Sequence, residues 1–449
     1  MLYTDLWYNT TYLTNRRLTE LIHTFELSRM IGKEIFETVL STLNMNPYNK
    51  NLWITHAYRE QGFSAIKLHK IKRNEVKDTI ATDSDITHHY MISVIVNPGV
   101  MFHGDRHFAN DILHFTPDFE RAIIYNLLEL LPCLEIYPEL REQDTTKWHE
   151  WNIYKLRRID FVFEIKKNNQ QYLKLLNGGY TLRDKTYIRN YYENEEMLID
   201  VIDDEPDFED TGDVTDVVSE YTSNVQYIYY KGKSLNINIY HKDREIHKEG
   251  LSATDDTDYD FLRIEVQVKK NKLNALVNKF NLIGRELPYI ATPEIEQYIL
   301  NYYVQALTGK GTYVTLDKAR SIINQSHFRA DKKDRLKAVV EEIANKHSIA
   351  TFLKQIETGQ LTHLGKFDTV KKYLLDIQGL GINPLTISSR MAKATPKLYL
   401  PNVTGGNDLN DIILPNIVDM ITGYSEQIKE EQQHGRIYSQ EELEQIDKI

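Results

Sequence analysis

The chain has 449 residues, 41% of them hydrophobic, and 54 Lys and Arg against 65 Asp and Glu give a formal net charge of −11. That length predicts two or three domains, and that apolar fraction is ample for packed cores, which excludes a disordered or fibrous chain. A single cysteine, Cys133, excludes a disulfide framework and fits a reducing compartment.

The negative total argues against a uniformly basic nucleic-acid-binding surface, but it is unevenly spread. Residues 193–220 carry 13 Asp or Glu and no Lys or Arg, and without them the rest of the chain carries +2. This segment reads as a solvated acidic insertion, with DNA mimicry as the functional alternative. No window holds the roughly 18 apolar residues a membrane span requires. The N-terminus, Met1 to Trp7, lacks the basic and apolar regions of a secretory signal. A cytoplasmic protein without a membrane partner is expected.

In chain order, residues 1–85 read as a helical N-terminal unit. An apolar-periodic stretch runs from Thr14 to Leu43 and is broken at Asn46-Pro47. The segment Trp53–Arg73 adds a strand or two. Arg16, Arg17, Lys67, Lys70, Lys72 and Arg73 could meet DNA, although a solvated face is the commoner role of such residues. A strand follows at Tyr90–Asn97. Thr116-Pro117-Asp118-Phe119-Glu120 supplies an N-cap, a proline at the first position and acids in the first turn, predicting a helix to Leu131. A polar bridge over 141–151 leads to a strand over 153–165. A helix over 170–176 then ends at Gly178-Gly179. Hairpin-like strands over 225–242 and a strand over 261–270 complete an α+β domain, 86–284, with a mostly antiparallel central sheet.

Past Gly284 the chain reads helical to 394. Thr292-Pro293 opens one helix, and Phe328–Lys346 forms another that carries Lys332, Lys333 and Arg335 as a basic face. Short helices joined by short turns suit a winged-helix-like DNA-binding domain, and a generic helical bundle fits equally well. Residues 395–449 read as a tail.

Two strands carry the chemistry. In the first, Leu235, Ile237 and Ile239 alternate with Asn236, Asn238 and Tyr240. In the second, Leu262, Ile264, Val266 and Val268 alternate with Arg263, Glu265, Gln267 and Lys269. If the two pair, Tyr240, Glu265 and Gln267 share one surface. A phenol beside a carboxylate suits phosphoryl transfer to tyrosine.

The run Ile239-Tyr240-His241-Lys242, followed by Arg263-Ile264-Glu265-Val266, resembles the Ile-Tyr-Asp-Lys and Arg-hydrophobic-Glu-hydrophobic signature of rolling-circle replication initiators. More narrowly, it is similar to the plasmid and mobile-element replication initiation factor family. Leu156–Glu164 resembles that family's Arg-hydrophobic-Asp strand, so the likeness covers about residues 90–285. The resemblance implies a nickase-like domain in which Tyr240 attacks phosphorus, leaving a 5′-phosphotyrosyl link and a free 3′-OH. It implies that Lys242 activates the phenol or holds the phosphate; an edge-strand lysine is the structural alternative.

It further implies that Glu265 and Asp160 hold Mg²⁺ or Mn²⁺ through hard oxygen ligands, and Glu164, four residues on from Asp160 along the strand, shares its face and joins them as a candidate ligand. Glu265 could equally serve as a cross-strand partner of Arg263 or Lys269. Arg157, Arg158 and Lys269, with Lys166, Lys167, Lys270 and Lys272, would line a DNA groove or simply aid solubility. The partners implied are origin DNA, duplex and single-stranded, with a helicase and a second copy of the chain. The sequence departs from the wider nickase class in one respect. That class binds metal through a His-hydrophobic-His pair, whereas here His88 and His89 are adjacent and would point to opposite faces of a strand. His241 would likewise face away from Tyr240. The resulting readings are a replication initiator, a conjugative relaxase with the same chemistry, or a non-catalytic DNA-binding replication or regulatory protein.

Overall fold

The computed structural model describes residues 22–72, 88–103, 117–165, 169–181, 187–190, 227–242, 261–388 and 413–423. Among the described residues ten strands form one sheet. They are β1 Ile22–Ile31, β2 Asn46–Asn49, β3 Leu52–Thr55, β4 Phe63–Lys72, β5 His88–Val96, β6 Lys155–Ile165, β7 Tyr187–Asn190, β8 Tyr227–Lys231, β9 Leu235–His241 and β10 Leu262–Lys269. Their spatial order is β2-β3-β4-β5-β1-β6-β10-β9-β8-β7. Every neighbouring pair is antiparallel. The α+β class with an antiparallel sheet is therefore what the chain adopts.

The sheet has one apolar face because its strands alternate. Phe25, Leu27, Ile159, Phe161, Phe163, Ile237, Ile239, Ile264 and Val266 are all buried there. The helices Asn169–Asn177, Lys270–Phe280 and Pro293–Thr308 pack on the strands of this central region. Fully burying each such side chain contributes about 1.5–3 kcal/mol before the entropy of ordering is set against it.

The expectation of a helical N-terminal unit over 1–85 is corrected. In its described part only Lys33–Thr42 is an α-helix, while β1 to β4 join the main sheet. β1 lies near the middle of that sheet, between β5 and β6. Pairing on both sides, with Phe25 and Leu27 turned into the core, outweighs any local helical preference. Asn46-Pro47 does not merely break a helix but begins β2 at the sheet edge. A proline's missing N–H is tolerated at an edge. The bridge 141–151 is also helical, with Thr145–Trp151 capped by the Asp144 carboxylate, which accepts from the Lys147 N–H at 3.0 Å.

The C-terminal region contains the helices Pro293–Thr308, Leu316–Gln325, Ala330–Lys346, Ile349–Glu357 and Phe367–Gly379. A small second sheet pairs β11, Tyr313–Val314, with β12, Ile413–Leu414. Thr292, Thr315 and Ser348 cap three of the helices through their hydroxyls. The expected boundary at Gly284 does not divide the packing, because Pro293–Thr308 lies against β6 and β10 in one continuous core. Gly178-Gly179 also does more than end a helix. The Tyr180 N–H donates to the Leu307 carbonyl at 2.7 Å, and the Ile349 N–H donates to the Gly178 carbonyl at 2.8 Å. A Cβ on Gly179 would sit 2.2 Å from the Leu307 oxygen, so only glycine admits this approach. The acidic insertion 193–220, Arg16, Arg17, Arg73, Lys166, Lys167, and residues 395–412 and 424–449 of the tail lie outside the described residues. Among the described residues no helix is long and apolar enough to cross a membrane.

Candidate active site

The opposite face of the central strands is polar yet largely buried. Register sets its rows. Arg263 lies between Tyr240 on β9 and Glu164 on β6, Glu265 between Asn238 and Val162, and Gln267 between Asn236 and Asp160. Tyr240, Glu265 and Gln267 therefore share one surface, as the alternation predicts. The Tyr240 hydroxyl donates to the Glu265 carboxylate at 3.4 Å, a long contact. Asn236 donates to Gln267 at 2.8 Å and holds the neighbouring row in place.

The three carboxylates expected to hold a cation are not gathered. Asp160 and Glu164 are four residues apart on one strand, roughly 13 Å along it. Each is taken by an arginine. The Arg263 guanidinium, fully buried, donates to one Glu164 oxygen from Nε at 3.0 Å and from Nη2 at 2.7 Å. Arg158 lies 3.2 Å from Asp160, which also accepts from the Thr24 hydroxyl. Arg158 itself donates to Thr24 at 2.9 Å. Among the described residues no group of three His, Cys, Asp or Glu is placed to hold a metal ion. The donor set expected for Mg²⁺ or Mn²⁺ therefore does not fit as three carboxylates around one point.

Two bulges shape this face. Leu27 pairs with Leu156 and Glu26 with Arg158, so Arg157 is an extra residue in β6. The bulge brings both arginines toward Glu26 and Asp160 instead of sending them to opposite faces. Arg157 Nε lies 3.9 Å from Glu26. A second irregularity, between Ile22 and Phe25, sets His23 and Thr24 beside β6.

Sequence reasoning passed over His23, Thr24, Glu26 and His69, which complete the polar face. Burial acts to raise the Glu26 pKa, but the charges of Lys67, Arg157 and Arg158 and a hydrogen bond from Ser93 outweigh it, bringing it down to about 2. His69 Nε2 lies 3.0 Å from Ser93 Oγ, and burial with the Arg157 charge lowers its pKa to about 3. His23 is held well below the usual histidine range by burial and by the charges of Arg263, Lys242 and Arg158. Lys242 is buried, and its backbone N–H donates to the Phe261 carbonyl at 3.0 Å. The flanking of Phe25 by Thr24 and Glu26 marks two outward residues only once the segment is read as a strand, and the irregularity between Ile22 and Phe25 hides that reading.

The other expected residues are scattered. Lys269 donates to the Gly232 carbonyl at 3.3 Å. Lys332 pairs with Asp376 at 2.8 Å, Lys333 donates to the Asn324 carbonyl at 2.8 Å, and Arg335 is exposed on the same helix. His88 and His89 lie at the start of β5, and His241 is buried. Among rival tyrosines, Tyr230 faces the core opposite Ile237, and burial pushes its phenol above the usual range. Tyr229 lies opposite Asn238 and is buried; Tyr227 lies opposite Tyr240. Compared with protein-family models and with curated proteins, the chain shows no match to any.

Proposed function

We propose that the chain initiates rolling-circle replication by cutting one strand of an origin, with Tyr240 as nucleophile. The observation that carries this reading is the Tyr240 hydroxyl on Glu265, with Lys242 buried two residues further along the chain. The Tyr240 oxygen forms a bond to phosphorus as the bond from phosphorus to the 3′ oxygen breaks. The products are a 5′-phosphotyrosyl link and a 3′-hydroxyl, and the phenolic proton passes by way of Glu265 to the leaving oxygen. Lys242 offers positive charge to the phosphate. The same chemistry at a transfer origin would make the chain a conjugative relaxase, since only the DNA context differs.

Incubation with supercoiled DNA and Mg²⁺ or Mn²⁺, followed by a search for a covalent protein–DNA adduct, tests the proposal. An adduct and nicked circles are expected. The binding-protein reading has its own support, because Asp160 and Glu164 are already neutralised by arginines and so serve the sheet's stability. DNA retention without adduct under both metals would replace the first reading with the second.

A further inference from the structure

On the helical side of the molecule, the helix Lys270–Phe280 follows directly on β10 and meets the helix Pro293–Thr308. Its eleven residues bury Leu273 and Leu276 and include three lysines, three asparagines and no acid. On the other helix Tyr298 and Tyr302 are one turn apart and so share a face. Phe280, Tyr298, Tyr302 and Tyr303 form a run of ring contacts with centroid separations of 5.4, 5.9 and 5.0 Å. Lys279 Nζ lies 4.5 Å from the Tyr298 centroid. Lys272 Nζ lies 5.5 and 5.3 Å from those of Tyr302 and Tyr303.

Three features point to an anionic, ring-bearing ligand. The Lys272 ammonium is held below the usual lysine range, first by burial and then by the charge of Lys279. The Lys272 and Lys279 ammonium groups lie over one continuous run of rings, and among the described residues neither forms an ion pair with a carboxylate. Tyr302 is 55% exposed and leaves much of its ring open to a stacking partner. An acidic peptide would meet the charges but would leave the ring unused. A single nucleic-acid strand meets both, because phosphates neutralise lysines and every base offers a π face. A duplex keeps its bases stacked on one another and out of reach.

We infer that this lysine–tyrosine surface binds single-stranded DNA, with phosphates at Lys272 and Lys279 and a base against Tyr302. The choice of DNA rests on the strand-cutting reading; the surface itself excludes Tyr240. The test is fluorescence anisotropy of a labelled thymidine oligomer, titrated with salt, on the full chain carrying Tyr240→Phe so that no adduct forms. Tyr302→Ser should weaken binding roughly tenfold, while leaving affinity for an abasic oligomer of equal length unchanged. The double variant Lys272→Gln, Lys279→Gln should reduce the slope of log affinity against log salt by about 1.4, two phosphates' worth for a single strand. Circular-dichroism melting confirms that both variants fold.

The inference is overturned if both variants bind the oligomer as the parent does with the same salt slope. It is equally overturned if poly-glutamate displaces the oligomer at matched charge, or if the Tyr240→Phe chain binds no oligomer at all. The last result would leave the adduct assay free to succeed. Conversely, oligomer binding that responds to Tyr302→Ser without any adduct from the unmodified chain would uphold this surface and reject the cutting reaction.

Discussion

Arg263 shows how a single side chain can be judged by what it leaves behind. Its guanidinium is fully buried against Glu164. Arg263→Ala strands a buried carboxylate and should cost about 3–5 kcal/mol of stability. Replacing both partners, as Arg263→Met with Glu164→Met, removes the need for charge compensation and should recover most of that loss. Urea unfolding midpoints check this, and a double variant no more stable than the single would contradict it. Acid sensitivity follows from Glu26 and His69. The Glu26 pKa falls from 4.5 to about 2 on folding, so its contribution is intact above about 4.5 and lost as pH falls toward 2. The His69 pKa falls from 6.5 to about 3, so the fold resists protonating it, and stability is lost as pH falls from 6.5 toward 3. His69→Asn should flatten the upper window and Glu26→Gln the lower one in unfolding midpoints measured against pH. Unchanged pH profiles would refute the assignment.

Caps and close approaches make the elements testable one by one. Thr292 accepts from the Ile295 N–H at 3.4 Å at the start of Pro293–Thr308. Thr292→Ala should cost about 1 kcal/mol, read from the shift in a denaturant midpoint. Gly179→Ala should cost more, because its Cβ meets the Leu307 carbonyl rather than a movable side chain. The Thr292-Pro293 start was legible because capping is local chemistry. So were β9 and β10, whose strict alternation places Tyr240 and Glu265 on one face. β1 was not, and the reason lies in its bulge. Ile22 and Phe25 both turn inward at a spacing of three, which copies the periodicity of a helix. In β6 the Arg157 bulge likewise sets Leu156 and Ile159 three apart, but the run Ile159, Phe161, Phe163, Ile165 still declares a strand. The pairing of Glu164 with Arg263 was hidden as well. Alternation tells which residues share a face, whereas register, set by distant segments, decides which of them meet.

At the scale of the whole molecule, the sheet and the C-terminal helices share one core. A chain ending at Gly284 would expose the surface of β6 and β10 that Pro293–Thr308 covers. Such a truncation should lose cooperative thermal unfolding, rather than survive as a working fragment with weaker DNA selectivity, as a separate C-terminal domain would require. A sharp melting transition in the fragment would restore the boundary. Strand cutting is the central claim, and it narrows to one atom, the Tyr240 hydroxyl. Tyr240 is partly buried and donates to Glu265, whereas the Tyr230 phenol lies in the core with its pKa raised. The most direct measurement is mass spectrometry of the peptide that stays bound to DNA after incubation with supercoiled origin plasmid and Mg²⁺. The linkage should map to Tyr240 and vanish in Tyr240→Phe, with origin binding retained because only a hydroxyl is removed. A linkage at Tyr227, Tyr229 or Tyr230, or adduct persisting in Tyr240→Phe, would contradict it.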